Sequence, residues 1–162
     1  ITPSEIMVAD IEVKVNTIEV KNFLTSLRQK QKSAINSALS RVSNMAVLMI
    51  TKRTQSGKLP DGGKMKSYAK STKANRRKRG RQVGFVDLTD SGKMFRSLDF
   101  RTKAFKSTLF FANKDLEKIA SFHDSFGVGK KKVKRPFFAI GRKEEKQIVK
   151  EFNKFYFSKL RI

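Results

Sequence analysis

Chemistry has few places to start in this sequence. His123, the only histidine, stands beside Asp124, and a His–Asp pair can orient a general base. No nucleophile motif and no paired carboxylates accompany it, so we expect a structural or partner-facing role for His123 and no enzyme. One histidine and no cysteine leave only scattered carboxylates for a metal. Gly57, Gly62, Gly63, Gly80 and Gly84 lack the spacing and the strand-to-helix context of a phosphate-binding loop. Neither metal nor cofactor nor small-molecule substrate is expected.

The charge is a stronger signal. "KMKSYAKSTKANRRKRGRQ", Lys64 to Gln82, carries nine cations and no acid: Lys64, Lys66, Lys70, Lys73, Arg76, Arg77, Lys78, Arg79 and Arg81. "VGKKKVKRP" adds Lys130, Lys131, Lys132, Lys134 and Arg135. Such runs repel themselves, and burying them unpaired is costly, so they lower their energy in solvent or against a polyanion. One run alone could serve solubility. Two runs within a net charge of +23 exceed that need, and we read all fourteen residues as contacts to a polyanion or an acidic partner. A duplex offers about one phosphate charge per 1.7 Å, and neutralising it releases counterions without any base contact. Tyr68 stands too isolated to suggest a stacking platform.

The elements that must carry these residues can be read from periodicity. With 162 residues, 38% apolar and 14 Phe, the chain has material for one packed domain spanning 1–162. Basic loops are expected at about 62–86 and 128–135. Ile11, Val13 and Val15 alternate with Glu12 and Lys14, the period of a half-buried strand. From Lys21 to about Ser56, apolar residues recur at steps of three and four, which predicts a long helix with room for a break between Arg28 and Lys32. "SGKLPDGG" is stop and turn chemistry. Thr89, Asp90 or Ser91 caps a short helix anchored by Met94, Phe95 and Leu98.

Two strands follow, turning near Phe105 to Ser107, then a short helix capped by Asp115 and ended by Gly127. An extended "RPFFAIG" leads into a final helix with Ile148, Phe152, Phe155, Tyr156 and Leu160 on one face. This is an α+β fold, a small antiparallel sheet packed against a long N-terminal helix and a C-terminal helix. The core should join Ile35, Leu39, Val42 and Met49 to Ile148, Phe152 and Phe155, with the hairpin completing the layer. The longest apolar run, Met45 to Ile50, is too short to cross a bilayer, so no membrane is expected. The absence of cysteine leans toward the cytosol.

"LPDGGKMKSYAKST", "LTDSGKMFRSLDFRTK" and "IASFHDSFGVGKKKVKRPFFAIGRKEEKQIVKEF" occur in an order that resembles the virion-morphogenesis or tail-completion proteins of tailed bacteriophages. The resemblance rests on Asp61-Gly62, Thr89 to Leu98 with Ser97, His123 to Gly127, and Arg135-Pro136-Phe137, and covers most of the chain from Phe23 onward. It implies a non-enzymatic structural protein of the phage neck or tail, assembled in the host cytoplasm into a homo-oligomeric ring around the DNA channel. Neighbouring neck, tail or connector proteins and DNA, held by non-specific electrostatics, would be its partners. The fourteen basic residues would then face the channel or an acidic neighbour. The alternative is a cellular nucleic-acid-binding protein of ribosomal type whose basic loop penetrates folded RNA.

Overall fold

α1 runs unbroken from Thr17 to Gln55 in the computed structural model, which describes residues 17–160. Its buried line falls at every fourth residue, Ala34, Ala38, Val42, Ala46, Ile50 and Thr54, with Ser43 beside it. Three of those six are alanines, and small side chains let neighbouring backbones approach the seam. Of the expected apolar stripe, Ala38, Val42 and Ala46 are buried, whereas Ile35, Leu39 and Met49, expected in the core, are half-buried. The helix starts earlier than Lys21 and shows no break between Arg28 and Lys32, where Arg, Gln and Lys are all good helix formers. Ile11, Val13 and Val15 lie outside the described residues, while Thr17 to Val20 of the same stretch are helical.

Gly57 ends α1 at φ +77°, and the Lys58 amide donates back to the Arg53 carbonyl at 3.2 Å. The expected turn follows, with Asp61 Oδ1 accepting the Gly63 amide. Within the first basic stretch the chain is more regular than a loop: α2 spans Lys70–Lys78. It has no apolar face to bury, and its one buried residue is Arg76. α3, Lys93–Arg96, is entered through Gly92 at φ +72°, and of the three capping candidates Ser91 is engaged, its Oγ accepting the Lys93 amide at 3.4 Å. Its Met94 and Phe95, with Leu98 just beyond, are buried as the sequence suggests.

β1, Leu98–Lys103, pairs antiparallel with β2, Lys106–Phe111, in register Leu98 to Phe111 through Lys103 to Lys106. The turn is Ala104-Phe105, both at positive φ (49° and 65°), the handedness that matches strand twist in two-residue hairpins. α4, Lys114–Ser121, is capped by Asn113, whose side chain accepts the Asp115 and Leu116 amides, so the cap lies two residues before the expected Asp115. It passes into a π-helical turn, Phe122–Phe126, that stops at Gly127. A Cβ at Gly127 would meet the Lys132 carbonyl oxygen at 2.3 Å, so only glycine fits there.

α5, Arg142–Leu160, returns antiparallel along α1. Near its start Glu144 pairs with Arg53, and further on Phe155 lies under Arg41 at 5.1 Å. Ile148, Phe152, Phe155, Tyr156 and Leu160 are the half-buried apolar set on this helix, and none is fully enclosed. The deepest packing lies elsewhere, as a correction to the expected α1–α5 core. Ile50 of α1 belongs to one buried cluster with Met65, Val86, Leu88, Met94, Phe95, Leu98, Phe111, Ala120 and Phe137. Four of these, Met65, Val86, Leu88 and Phe137, come from segments outside helices and strands. A two-stranded sheet is too small to enclose a core, and irregular segments close it. The architecture is α+β, with the sheet and α5 both packed on α1.

Candidate nucleic-acid interface

Tyr68 is the point where the two basic segments meet. Its ring lies 4.8 Å from the Arg76 guanidinium and 5.6 Å from that of Arg135. Its hydroxyl donates to Asp87 Oδ1 at 3.0 Å and accepts the Leu88 amide at 3.1 Å. Arginine suits such a position because its planar fork can stack and donate in several directions at once.

Arg76 does both. Nε donates to the Gln82 carbonyl, Nη1 to the Thr89 carbonyl, and Nη2 to both oxygens of Asp87, at 2.9 to 3.0 Å. Only 7% of the residue is exposed. Burial alone would raise the Asp87 carboxyl, but the Thr89 amide, the Gln82 side chain, the Tyr68 hydroxyl and the Arg76 charge together hold it below its ordinary value. Tyr68 is pushed up, by burial first and then by the Asp87 charge. Arg135, 4% exposed, donates to the carbonyls of Lys66 and Ser67 and so ties the second basic segment to the first.

The fourteen sequence-identified residues therefore divide into three groups. Arg76 and Arg135 are turned inward, their guanidinium donors taken by internal acceptors, and they build the surface rather than present charge on it. Arg79 and Arg81 reach Asp90, at 3.4 and 2.9 Å. Among the described residues, Lys64, Lys66, Lys70, Lys73, Arg77, Lys78, Lys130, Lys131, Lys132 and Lys134 have no carboxylate within 4.0 Å, and all but the half-buried Lys73 are exposed. Ten uncompensated cations on two segments stitched at one tyrosine form an anion-attracting surface. Sequence reasoning missed Tyr68 as the junction. Its signal was an aromatic residue with few apolar neighbours inside a run of cations, which reads equally as an isolated ring.

His123 lines a cleft of about 290 Å³ with Tyr68, Thr72, Arg76 and Arg79. Burial first, and then the Arg135 charge, lowers its pKa from 6.5, and its Nδ1 is buried without a hydrogen-bond partner. The adjacent Asp124 faces elsewhere: its Oδ1 accepts the Phe137 and Phe138 amides at 2.8 and 2.9 Å, clamping the segment that plugs the core. The neighbours in sequence thus serve different parts of the fold. Among the described residues no cluster of His, Cys, Asp or Glu could hold a metal ion, and no helix is long and apolar enough to cross a membrane.

A second class of exposed residue accompanies the charge. Phe23 and Leu24 on α1, and Ile119, Phe122 and Phe126 around α4, all present more than two fifths of their surface to solvent. The Phe122 and Phe126 rings meet edge to face at 6.0 Å. Clustered apolar exposure of this kind marks protein–protein contact more than nucleic-acid contact. No protein family, curated protein or solved structure matches the chain.

Proposed function

We propose that the chain is a non-enzymatic structural subunit of the neck or tail of a tailed bacteriophage, acting in tail completion or head–tail joining. In this reading it forms a homo-oligomeric ring around the DNA channel and is located in the virion. The observation that carries the reading is the junction at Tyr68, which gathers ten cations lacking a carboxylate partner onto two adjoining segments. The order of sequence motifs supplies the phage context. The exposed Phe23, Leu24, Phe122 and Phe126 favour a subunit with protein neighbours over a solitary RNA-binding protein of ribosomal type.

Two measurements on the purified protein test it together. Electron microscopy or native mass spectrometry should show a closed oligomer, by itself or on neck proteins. Binding to duplex DNA should be indifferent to sequence and fall steeply with salt. Replacing Lys70, Lys73, Arg77 and Lys78 with glutamine should reduce the slope of log K against log salt by up to about 3.6, at about 0.9 for each phosphate that is no longer neutralised. A monomer that binds structured RNA in preference to duplex DNA would transfer the protein to the ribosomal-type reading.

A further inference from the structure

The hairpin leaves a strand edge open. Lys103 and Lys106 flank the two-residue turn, so they, Arg101 and Thr108, and Asp99 and Phe110 are the pairs that exchange backbone hydrogen bonds. The Ala112 amide donating to the Ser97 carbonyl at 2.7 Å continues that alternation. The backbone groups of Leu98, Phe100 and Thr102 therefore point away from β2. Among the described residues the Phe100 amide meets only the carboxylate of its neighbour Asp99, and no backbone group pairs with this edge. β2 is less accessible at its Phe111 end, where α4 packs and the Phe138 ring lies 5.3 Å from that of Phe111. The solvent face of the hairpin is basic, with Arg101, Lys103 and Lys106 exposed and Arg101 over the Phe110 ring.

We infer that residues 10–15 of a second copy of this chain add as a strand to the β1 edge. Three observations converge on that occupant. Ile11, Val13 and Val15 alternate with Asp10, Glu12 and Lys14, so one face is apolar toward α1 while the other, two acids and one lysine, is net acidic against a hairpin face where Arg101, Lys103 and Lys106 outnumber Asp99. Residues 1–16 hold Glu5, Asp10 and Glu12 against Lys14, whereas the acidic pair Asp87 and Asp90 is already engaged by Arg76, Arg79 and Arg81.

Reach then decides between a chain's own hairpin and a neighbour's. The hairpin tip sits at Asn36, whose Oδ1 accepts the Phe105 amide at 3.2 Å. Thr17 lies about 28 Å away along α1 at about 1.5 Å per residue. Six fully extended residues from Thr17 back to Ile11 span at most about 21 Å, and the rungs to be paired lie beyond the tip. With α1 wound from Thr17 to Asn36, the reach of residues 11–15 falls short of their own β1. Strand addition supplies main-chain hydrogen bonds that tolerate repulsion between two copies of net charge +23.

This inference deepens the ring reading and names one contact within it. Because the chain has no cysteine, single substitutions give clean cross-links. Glu12→Cys on one tagged copy should form a disulfide with at least one of Asp99→Cys, Arg101→Cys or Lys103→Cys on a differently tagged copy, and none with Glu117→Cys on α4. Val13→Pro, which removes a ladder donor, should weaken self-association at least tenfold in sedimentation experiments with an unchanged unfolding midpoint. An oligomer that survives Val13→Pro, with no β1 cysteine reacting, refutes the arm and leaves the ring. A wild-type chain that stays monomeric at high concentration and on neck proteins refutes both.

Discussion

Arg76 and Arg77 are adjacent in sequence and alike in chemistry, yet replacing them should give results far apart. Arg77 is exposed without a carboxylate partner, so Arg77→Ala should change stability by no more than about 0.5 kcal/mol. Arg76→Ala removes the only cation from a buried pair and leaves the Asp87 carboxylate, 13% exposed, with neutral partners only, the Thr89 amide, the Tyr68 hydroxyl and the Gln82 side chain. Breaking such a pair costs about 3–5 kcal/mol. At roughly 2–4 °C per kcal/mol for a domain of this size, the unfolding midpoint should fall by roughly 10 °C.

Arg76→Lys should recover little, since an ammonium cannot reproduce a fork bonded to Gln82, Thr89 and Asp87 together. Combining Arg76→Met with Asp87→Leu should cost clearly less than the sum of the two singles, because the stranded charge is gone. Urea and thermal unfolding of these variants give the readout. If Arg76→Ala and Arg77→Ala unfold within about 0.5 kcal/mol of each other, the inward assignment of Arg76 is wrong.

Gly141→Ala should destabilise by about 1–3 kcal/mol in thermal unfolding, because a Cβ there would stand 2.2 Å from the Pro60 carbonyl oxygen. Phe137→Ala, at a site with 0% exposure, should cost about 3–5 kcal/mol, and Phe152→Ala, only half-buried, visibly less; equal costs in urea melts would place the core on α5 after all. His123 has a lowered pKa, so below about pH 6.5 the unfolded chain binds its proton more readily and stability should decline with falling pH. His123→Gln should flatten that part of a pH–stability curve. A second loss should begin below the ordinary Asp87 value of 3.8, as pH falls through its depressed folded-state pKa, and Asp87→Asn should remove it.

The long helix, the hairpin, the final helix and the α+β class were legible in the sequence because each rests on local periodicity or turn chemistry. The core was not. Met65, Val86, Leu88 and Phe137 come from stretches with no repeat to announce them, and their burial is decided by distant partners such as Ile50 and Phe95. The basic surface was half legible. Charge density marks the region, but a run of five cations says nothing about which one turns inward. That choice depends on Asp87 and Tyr68, eleven and eight residues from Arg76, and on carbonyls that only the folded chain brings within reach.

The first turns of α1 stand apart from the core that holds the rest of the chain together. From Val20 to Ser33 every residue except Leu27 is exposed, a length at which an isolated helix in water is marginal. In a free subunit those turns should therefore fray and refold continually, with backbone amides that exchange hydrogen faster than those near Ile50. A neighbour that grips Phe23 and Leu24 selects the wound form, so docking and winding become one event. Association of that kind buries apolar surface while ordering a segment, which shows as a negative heat-capacity change and a large entropic opposition. Subunits would then stay apart in dilute solution and add quickly to a rim that already presents the grip. In the ring proposed above, growth would favour completed assemblies over scattered pairs.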